Sequence, residues 1–349
     1  MRESTKEACG EKKRLITAGE SAKEISIYQY SMSEYTHSRR QKWSQNSHTT
    51  AKEEIFRLFD EKPTSGLGFL DAESSLPPPP PCLEVLASEV SPSAKYTVEP
   101  VNIGGLTLFK GRVSTQEVFT LANSDLVPGK YEGGLKLWEG SLDLITALSS
   151  EIQDGRLSFT GKRVLELGCG HGLPGIFACL KGAAVVHFQD FNSEVLQCLT
   201  IPNVTVNIKK ISQHLAPDVE EGPINTETRF FSGDWGEVHR VLSCVCSNEY
   251  NIGSHPQLDQ AAGYDVILMA ETVYSISALP NLYKLVKKCL SNPHGVVYMA
   301  AKKYYFGVGG GSRRFLALVE KDGAFTSSLV AEVADGSSNV REVWKLHLK

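Results

Sequence analysis

The sequence has no C-x-x-C pair, no run of about 18 apolar residues and no surplus of positive charge. Each absence excludes a class of protein. The 8 cysteines stand at 9, 82, 169, 179, 198, 244, 246 and 289, and the single close pair, Cys244-x-Cys246, has no further ligands around it, so no metal site is expected. They read as reduced, structural thiols, with Cys169, Cys179 and Cys289 in apolar segments, which predicts a cytoplasmic and nuclear protein. The start of the chain is polar, with Glu3, Lys6, Glu7 and the charged stretch Glu11 to Arg14, and offers no secretory leader. Without a long apolar run, no membrane-spanning helix is expected. Lys+Arg number 36 against Asp+Glu 40, a net charge of −4, so nothing general argues for nucleic-acid binding. The 41% hydrophobic content of 349 residues is enough for one large domain with an extension.

Residues 1–94 are expected to be mostly disordered, since serine, threonine and charge dominate them. One helical apolar stripe, through Ile55, Phe56, Leu58 and Phe59, interrupts this texture. The run Leu76-Pro-Pro-Pro-Pro-Pro81 reads as a stiff spacer, and Lys12-Lys-Arg14 and Arg39-Arg40 as solvated surface. From residue 95 the texture becomes that of a folded domain, 95–160 as an extension and 161–349 as the core.

The core is organised around Arg163-Val-Leu-Glu-Leu-Gly-Cys-Gly-His-Gly-Leu-Pro-Gly175. An apolar strand stops at a cluster of glycines and a helix follows, which is the first βα unit of a nucleotide-type fold. Glu166 with Gly168, Gly170 and Gly172 fits the acidic-x-Gly-x-Gly-x-Gly turn over which S-adenosylmethionine lies, while Gly170, Gly172 and Gly175 fit the G-x-G-x-x-G of dinucleotide enzymes. The glycines alone do not choose. Val185-Val-His-Phe-Gln-Asp190 is the next strand, and Asp190, 20 residues after Gly170, suits ribose hydroxyls in either class. Capping of the next helix by Asp190 and Asn192 is the plainer alternative.

Further strands are expected at 229–235, 264–274 and 295–301, with a helix at 279–289 whose apolar face carries Leu282, Leu285, Val286 and Cys289. A helix from Asn192 is expected to stop at Pro202, ahead of a polar insert at 209–226. Trp138, after Gly133-Gly134, could roof a pocket or anchor its helix, and Asp234 and Trp235 could meet an adenine or simply pack. Glu271 and Tyr274 stand at the carboxyl end of the fourth core strand, where substrates lie in open α/β sheets. Aromatic residues 304–306 run into a flexible glycine stretch at 309–311. The chain closes as a β-hairpin through 329–334 and 343–348, and this antiparallel ending favours a methyltransferase over a dinucleotide domain.

Residues 126–320 resemble the histidine protein methyltransferases of the seven-strand, class I S-adenosylmethionine-dependent superfamily. The resemblance rests on Tyr131-Glu-Gly-Gly-Leu-Lys-Leu-Trp-Glu139, Val164-Leu-Glu-Leu-Gly-Cys-Gly170, His187-Phe-Gln-Asp-Phe-Asn192, Leu199-Thr-Ile-Pro-Asn-Val204, Arg229-Phe-Phe-Ser-Gly-Asp-Trp235, Glu271-Thr-Val-Tyr274 and Tyr304-Tyr-Phe-Gly-Val-Gly-Gly-Gly311. It implies a Rossmann-like α/β fold with a seven-stranded sheet. It also implies S-adenosylmethionine as cofactor, held by Trp138, Glu139, Glu166, Gly168, Gly170, Gln189, Asp190, Phe191, Asn192, Gly233, Asp234, Trp235 and the backbone of Ala270, where the family has serine. The substrate implied is a histidine of a large-subunit ribosomal protein, met by a monomeric enzyme. Glu271 is then expected to orient the target ring, with Tyr274, Tyr304 and Phe306 as pocket walls. The rival readings are a protein-lysine methyltransferase, whose target would need deprotonation from near ~10.4, and a non-catalytic ribosome-assembly scaffold.

Overall fold

The computed structural model describes residues 78–90, 95–122, 124–214, 226–242, 263–334, 336 and 339–349. The stripe at 55–59, the two basic clusters, the expected disorder before residue 78, Cys244, Cys246 and most of the polar insert lie outside the described residues. The compact unit described here comprises the described residues from Pro78 to Lys349.

Among the described residues ten strands form in chain order: β1 (Leu83–Val85), β2 (Thr97–Ile103), β3 (Leu106–Arg112), β4 (Arg163–Leu167), β5 (Val185–Asp190), β6 (Glu227–Ser232), β7 (Val266–Ala270), β8 (Val296–Lys302), β9 (Phe325–Val333) and β10 (Arg341–Leu348). Eight of them make one sheet in the order β1-β6-β5-β4-β7-β8-β10-β9, and β2 and β3 pair separately as a hairpin. Strands β4 to β8 are parallel, with Glu166 opposite Phe188 on one side and Leu268 on the other. Strand β10 then inserts antiparallel between β8 and β9, which is the expected closing hairpin, with both strands starting earlier than expected. The seven expected strands are thus joined by an eighth. Leu83 to Val85, which follow the proline run, pair antiparallel with Phe230 to Ser232 and cover that edge of the sheet.

The longer helices among the described residues are α1 (Thr115–Phe119), α2 (Glu139–Gln153), α3 (Leu173–Leu180), α4 (Ile201–His214), α5 (Leu279–Cys289) and α6 (Ser312–Asp322). Alternation along each strand divides the core into two layers. Val164, Tyr298 and Ala300 face Leu144, Leu148 and Phe177 of α2 and α3, whereas Leu165, Leu167 and Met299 face Leu282, Leu285 and Phe315 of α5 and α6. Burying each such leucine contributes about 1.5–3 kcal/mol, and the parallel strands are covered on both faces, so their sequences read as continuous apolar runs.

Pro202 does not end its helix. A helical turn at Ser193–Val195 passes into a π-helical turn, Leu196–Thr200, and α4 continues from Ile201. A wider turn there tolerates a residue without an N–H, so the ring sits at the second position of a regular helix rather than inside one. The helix then continues to His214, beyond the expected start of the polar insert.

Candidate active site

Strand order reverses between β4 and β7, since β5 and β6 lie to one side and β8 to the other. In an open α/β sheet the crevice beyond the carboxyl ends at that reversal is where ligands bind. A cavity of about 510 Å3 occupies it, walled by the segments that follow β4 (Gly168 to His171), β5 (Asp190, Phe191), β6 (Gly233 to Trp235) and β7 (Ala270 to Ser275). Gly133, Gly134 and Trp138 close it from above, with Pro78 and Pro79 at its rim. The proline run is therefore part of the site wall and not only a spacer.

The turn after β4 needs its glycines. Gly168, Gly170 and Gly172 have φ of +61°, +48° and +69°, and a Cβ on Gly170 would meet the Gly134 carbonyl oxygen at 2.9 Å. Asp190 fixes this turn by accepting the Gly170 N–H at 2.9 Å on Oδ2, while Oδ1 takes the Asn192 N–H at 3.0 Å. Burial pushes its carboxyl up to about 6, against the pull of these amides. Asp190 is thus ionised at neutral pH and keeps lone pairs for ribose hydroxyls.

Of the sequence-predicted cofactor residues, Trp138, Gly168, Gly170, Asp190, Phe191, Gly233, Asp234, Trp235 and Ala270 line the cavity. Glu166, Gln189, Asn192 and Glu139 do not. Glu166 is buried beneath the turn, where Oε2 accepts the Gly175 N–H at 2.8 Å, and burial followed by the Asp190 charge pushes its carboxyl up to about 8. Gln189, fully buried, accepts the Trp235 Nε1–H at 2.9 Å and the Gly168 N–H at 3.3 Å on Oε1 while its amide donates to the Gly233 carbonyl at 2.9 Å. Asn192 accepts the Glu132 N–H at 3.1 Å and donates to the Lys130 carbonyl at 2.9 Å, and its side chain makes no helix cap. Gln189 and Asn192 thus support residues that face the cavity, while Glu166 holds the first turn of α3 behind the glycines. Glu139 is the exposed first residue of α2. Trp138 is roof and anchor together: it lines the cavity, its Nε1–H donates to the Gly133 carbonyl at 3.1 Å, and Lys136 Nζ lies 4.5 Å from its ring centroid.

A second, smaller cavity of about 100 Å3 has Glu132, Trp138, Glu271, Tyr274, Tyr305 and Val308 in its wall, all but Tyr305 shared with the large one. Glu271 is buried in a left-handed conformation, φ +57°. Burial pushes its carboxyl up, opposed by the Tyr305 hydrogen bond and the Lys302 charge. The Tyr305 hydroxyl donates to Glu271 Oε2, and the Tyr274 hydroxyl donates to Glu132 Oε2. The two phenol rings meet edge-on, with centroids 6.4 Å apart.

Tyr305 is the aromatic residue that enters the site; Tyr304 and Phe306, expected as walls, are 51% and 75% exposed and line neither cavity. The cause is a tight loop in which the Tyr305 carbonyl accepts Gly309 N–H and its own N–H donates to the Gly310 carbonyl, turning Tyr305 inward and its two neighbours outward. Nor is the glycine run loose. Gly310 and Gly311 donate to the Tyr274 and Val273 carbonyls at 2.9 and 2.8 Å, which stitches the loop to the segment carrying Tyr274.

Three buried polar atoms of residues in the wall of the large cavity, His171 Nδ1, Glu271 Oε1 and Thr272 Oγ1, lack a hydrogen-bond partner. Burial holds His171 neutral, its pKa down to about 4. Orphaned groups of this kind, a glycine cradle that admits backbone approach, an ionised Asp190 and the Trp235 indole suit a nucleoside with a polar amino-acid tail. With the antiparallel ending of the sheet, they define the class I S-adenosylmethionine-dependent methyltransferase fold, and S-adenosylmethionine is its cofactor.

Residues 128–223 match a family model described as "Lysine methyltransferase". Histidine protein methyltransferase 1 homologues are more extensively similar: 41% identity over 223 residues for that of Dictyostelium discoideum (64% of this chain, 60% of that one) and 35% over 237 for that of Rattus norvegicus (65% and 60%). The homologue of Bos taurus is 32% identical over 304 residues, 79% of this chain and 77% of its own. The chain belongs to this histidine protein methyltransferase family, while its matches to the first two relatives span 60% of their length.

Proposed function

We propose that the protein transfers a methyl group from S-adenosylmethionine to a histidine nitrogen of a protein substrate, a large-subunit ribosomal protein, in the cytoplasm and nucleus. One observation supports this above others: the small cavity lined by Glu132, Glu271, Tyr274 and Tyr305 opens on the same wall as the cofactor cavity, so a side chain entering it meets whatever the larger one holds. The cofactor supplies an electrophilic methyl on sulfur, whose bond to carbon breaks with the pair left on sulfur as the nitrogen–carbon bond forms. Imidazole titrates near pH 6.5 and is largely neutral at pH 7, so no strong base is needed. What remains is positioning, which can supply roughly 7–11 kcal/mol. Trp138 and Phe191 shape the wall, Asp190 and Trp235 fix the nucleoside end, and Glu271 with its Tyr305 partner meets the target side chain. The unbridged thiols of Cys82, Cys169 and Cys179 accord with a reducing compartment.

Purified protein, radiolabelled S-adenosylmethionine and ribosomes from cells lacking the protein provide the test. Methylhistidine in the hydrolysed labelled band is expected. Methyllysine would favour the lysine reading that the matched family model's description also suggests, and absence of label despite cofactor binding would favour a scaffold.

A further inference from the structure

Glu132 lines both cavities, yet neither the glycine turn nor the strand ends require it. Its two oxygens have different partners. Oε1 accepts the Gly129 N–H at 2.7 Å, and Oε2 accepts the hydroxyl proton of Tyr274. A phenol has one proton, so Tyr274 bonded in this way can offer other neighbours only lone pairs. Tyr305 is in the same state, its proton directed to Glu271. The small cavity therefore carries two phenol oxygens that accept and do not donate.

An acceptor-only wall discriminates between the two tautomers of a neutral imidazole. The ring must present its N–H to a phenol oxygen, and the nitrogen left with the free pair is then the one opposite. We infer that Glu132 is a positioning residue that, by holding the Tyr274 proton, selects the target tautomer in which the nitrogen facing the methyl keeps its free pair. The assignment rests on the protein-histidine reading above. In the step, the free nitrogen gains the methyl carbon and the carbon–sulfur pair stays on sulfur. The proton on the opposite nitrogen, held by Tyr274 Oη, leaves to water with the product.

Glu132→Gln reverses the polarity of this bond with almost no change in shape. The Gly129 N–H can only donate, so the amide oxygen faces Gly129 and the amide NH2 faces Tyr274. The Tyr274 proton is then released toward the cavity, where it can donate to an imidazole nitrogen. With the full chain and ribosomes as substrate, wild-type protein is expected to give a single methylhistidine isomer. Glu132→Gln should lower kcat by about 10- to 100-fold, as loss of one oriented hydrogen bond does, because the nitrogen facing the methyl then carries the proton, with the Kd for S-adenosylmethionine within twofold. In a Tyr274→Phe background the same substitution should not lower kcat further. A Glu132→Gln protein within twofold of wild-type kcat, or an effect that persists in Tyr274→Phe, overturns the assignment. Lysine labelling by the wild-type protein would instead overturn the target reading and this assignment with it.

Discussion

Glu166 lies under the glycine turn with its carboxyl raised to about 8, while the unfolded chain would titrate it near its ordinary 4.5. Between those values the folded state holds a proton that the unfolded state has lost. Stability is thus fully present below pH 4.5 and declines as pH rises toward 8, by about 1.36 kcal/mol per pH unit. Other buried groups confine the useful window. Asp190, raised from 3.8 to about 6, has finished its own decline by pH 6. His171 and His187, lowered from 6.5 to about 4 and about 3, add stability as pH rises to 6.5 and none beyond it. From pH 6.5 to 8 the Glu166 contribution alone amounts to about 2 kcal/mol. Glu166→Gln retains an oxygen for the Gly175 N–H and cannot ionise. Urea unfolding of both proteins at half-unit steps through that window should show wild type losing about 2 kcal/mol relative to Glu166→Gln. Glu271, also raised, is common to both and cancels in the difference. Parallel pH dependences would refute the account of Glu166 as a carboxyl kept neutral by burial.

Gln189→Leu should leave the Trp235 indole N–H and the Gly233 carbonyl without the Gln189 partner, and calorimetry should show cofactor Kd rising about 10-fold, the cost of one to two buried groups left unsatisfied. Asp190→Asn should weaken cofactor binding at pH 7.5 and flatten its pH dependence; wild-type affinity should fall below about pH 6, where the carboxylate protonates. Gly310→Ala would drive a methyl into the carbonyl oxygens of Val273 and Tyr274. Its thermal unfolding midpoint should drop by several degrees, with turnover lost more than cofactor binding, because the loop held there carries Tyr305.

The parts of the fold legible in the sequence were those decided by local pattern. Strands β4, β5, β7 and β8 are buried on both faces and so appear as unbroken apolar runs, and the glycine turn declares itself by composition. Three residues after a proline run carry no such signal, and β1 exists because the edge of β6 offers unpaired backbone groups to it. The residues that wall the large cavity were legible because they cluster next to strand ends. Glu166, Gln189 and Asn192 belong to the same motifs but act one layer beneath, a distinction that depends on side-chain direction. In the aromatic stretch 304–306 the residue that lines the small cavity is Tyr305, between the two that the sequence singled out. Which of Tyr304, Tyr305 and Phe306 turns inward is set by hydrogen bonds to Gly309 and Gly310 and to Val273 and Tyr274, none of which spacing reveals. Glu132 escaped notice because its partner, Tyr274, is 142 residues away.

The π-helical turn before α4 contains one residue more than a regular helix would place there. At its last residue Thr200 donates to the Gly170 carbonyl at 2.6 Å, and just beyond it Asn203 donates to the His171 carbonyl at 2.9 Å. Asn203 also accepts the Gly111 N–H at 2.6 Å, and Asn207 accepts the Phe109 N–H at 2.8 Å, both on β3. One helix thus grips the cofactor turn with one set of amides and hydroxyls and the N-terminal hairpin with the next. Removing a single residue from Leu196–Thr200 would rotate everything after it by about 100° relative to what precedes it. The surplus residue sets the phase of a shaft, and a change of phase would release the hairpin and the glycine turn together.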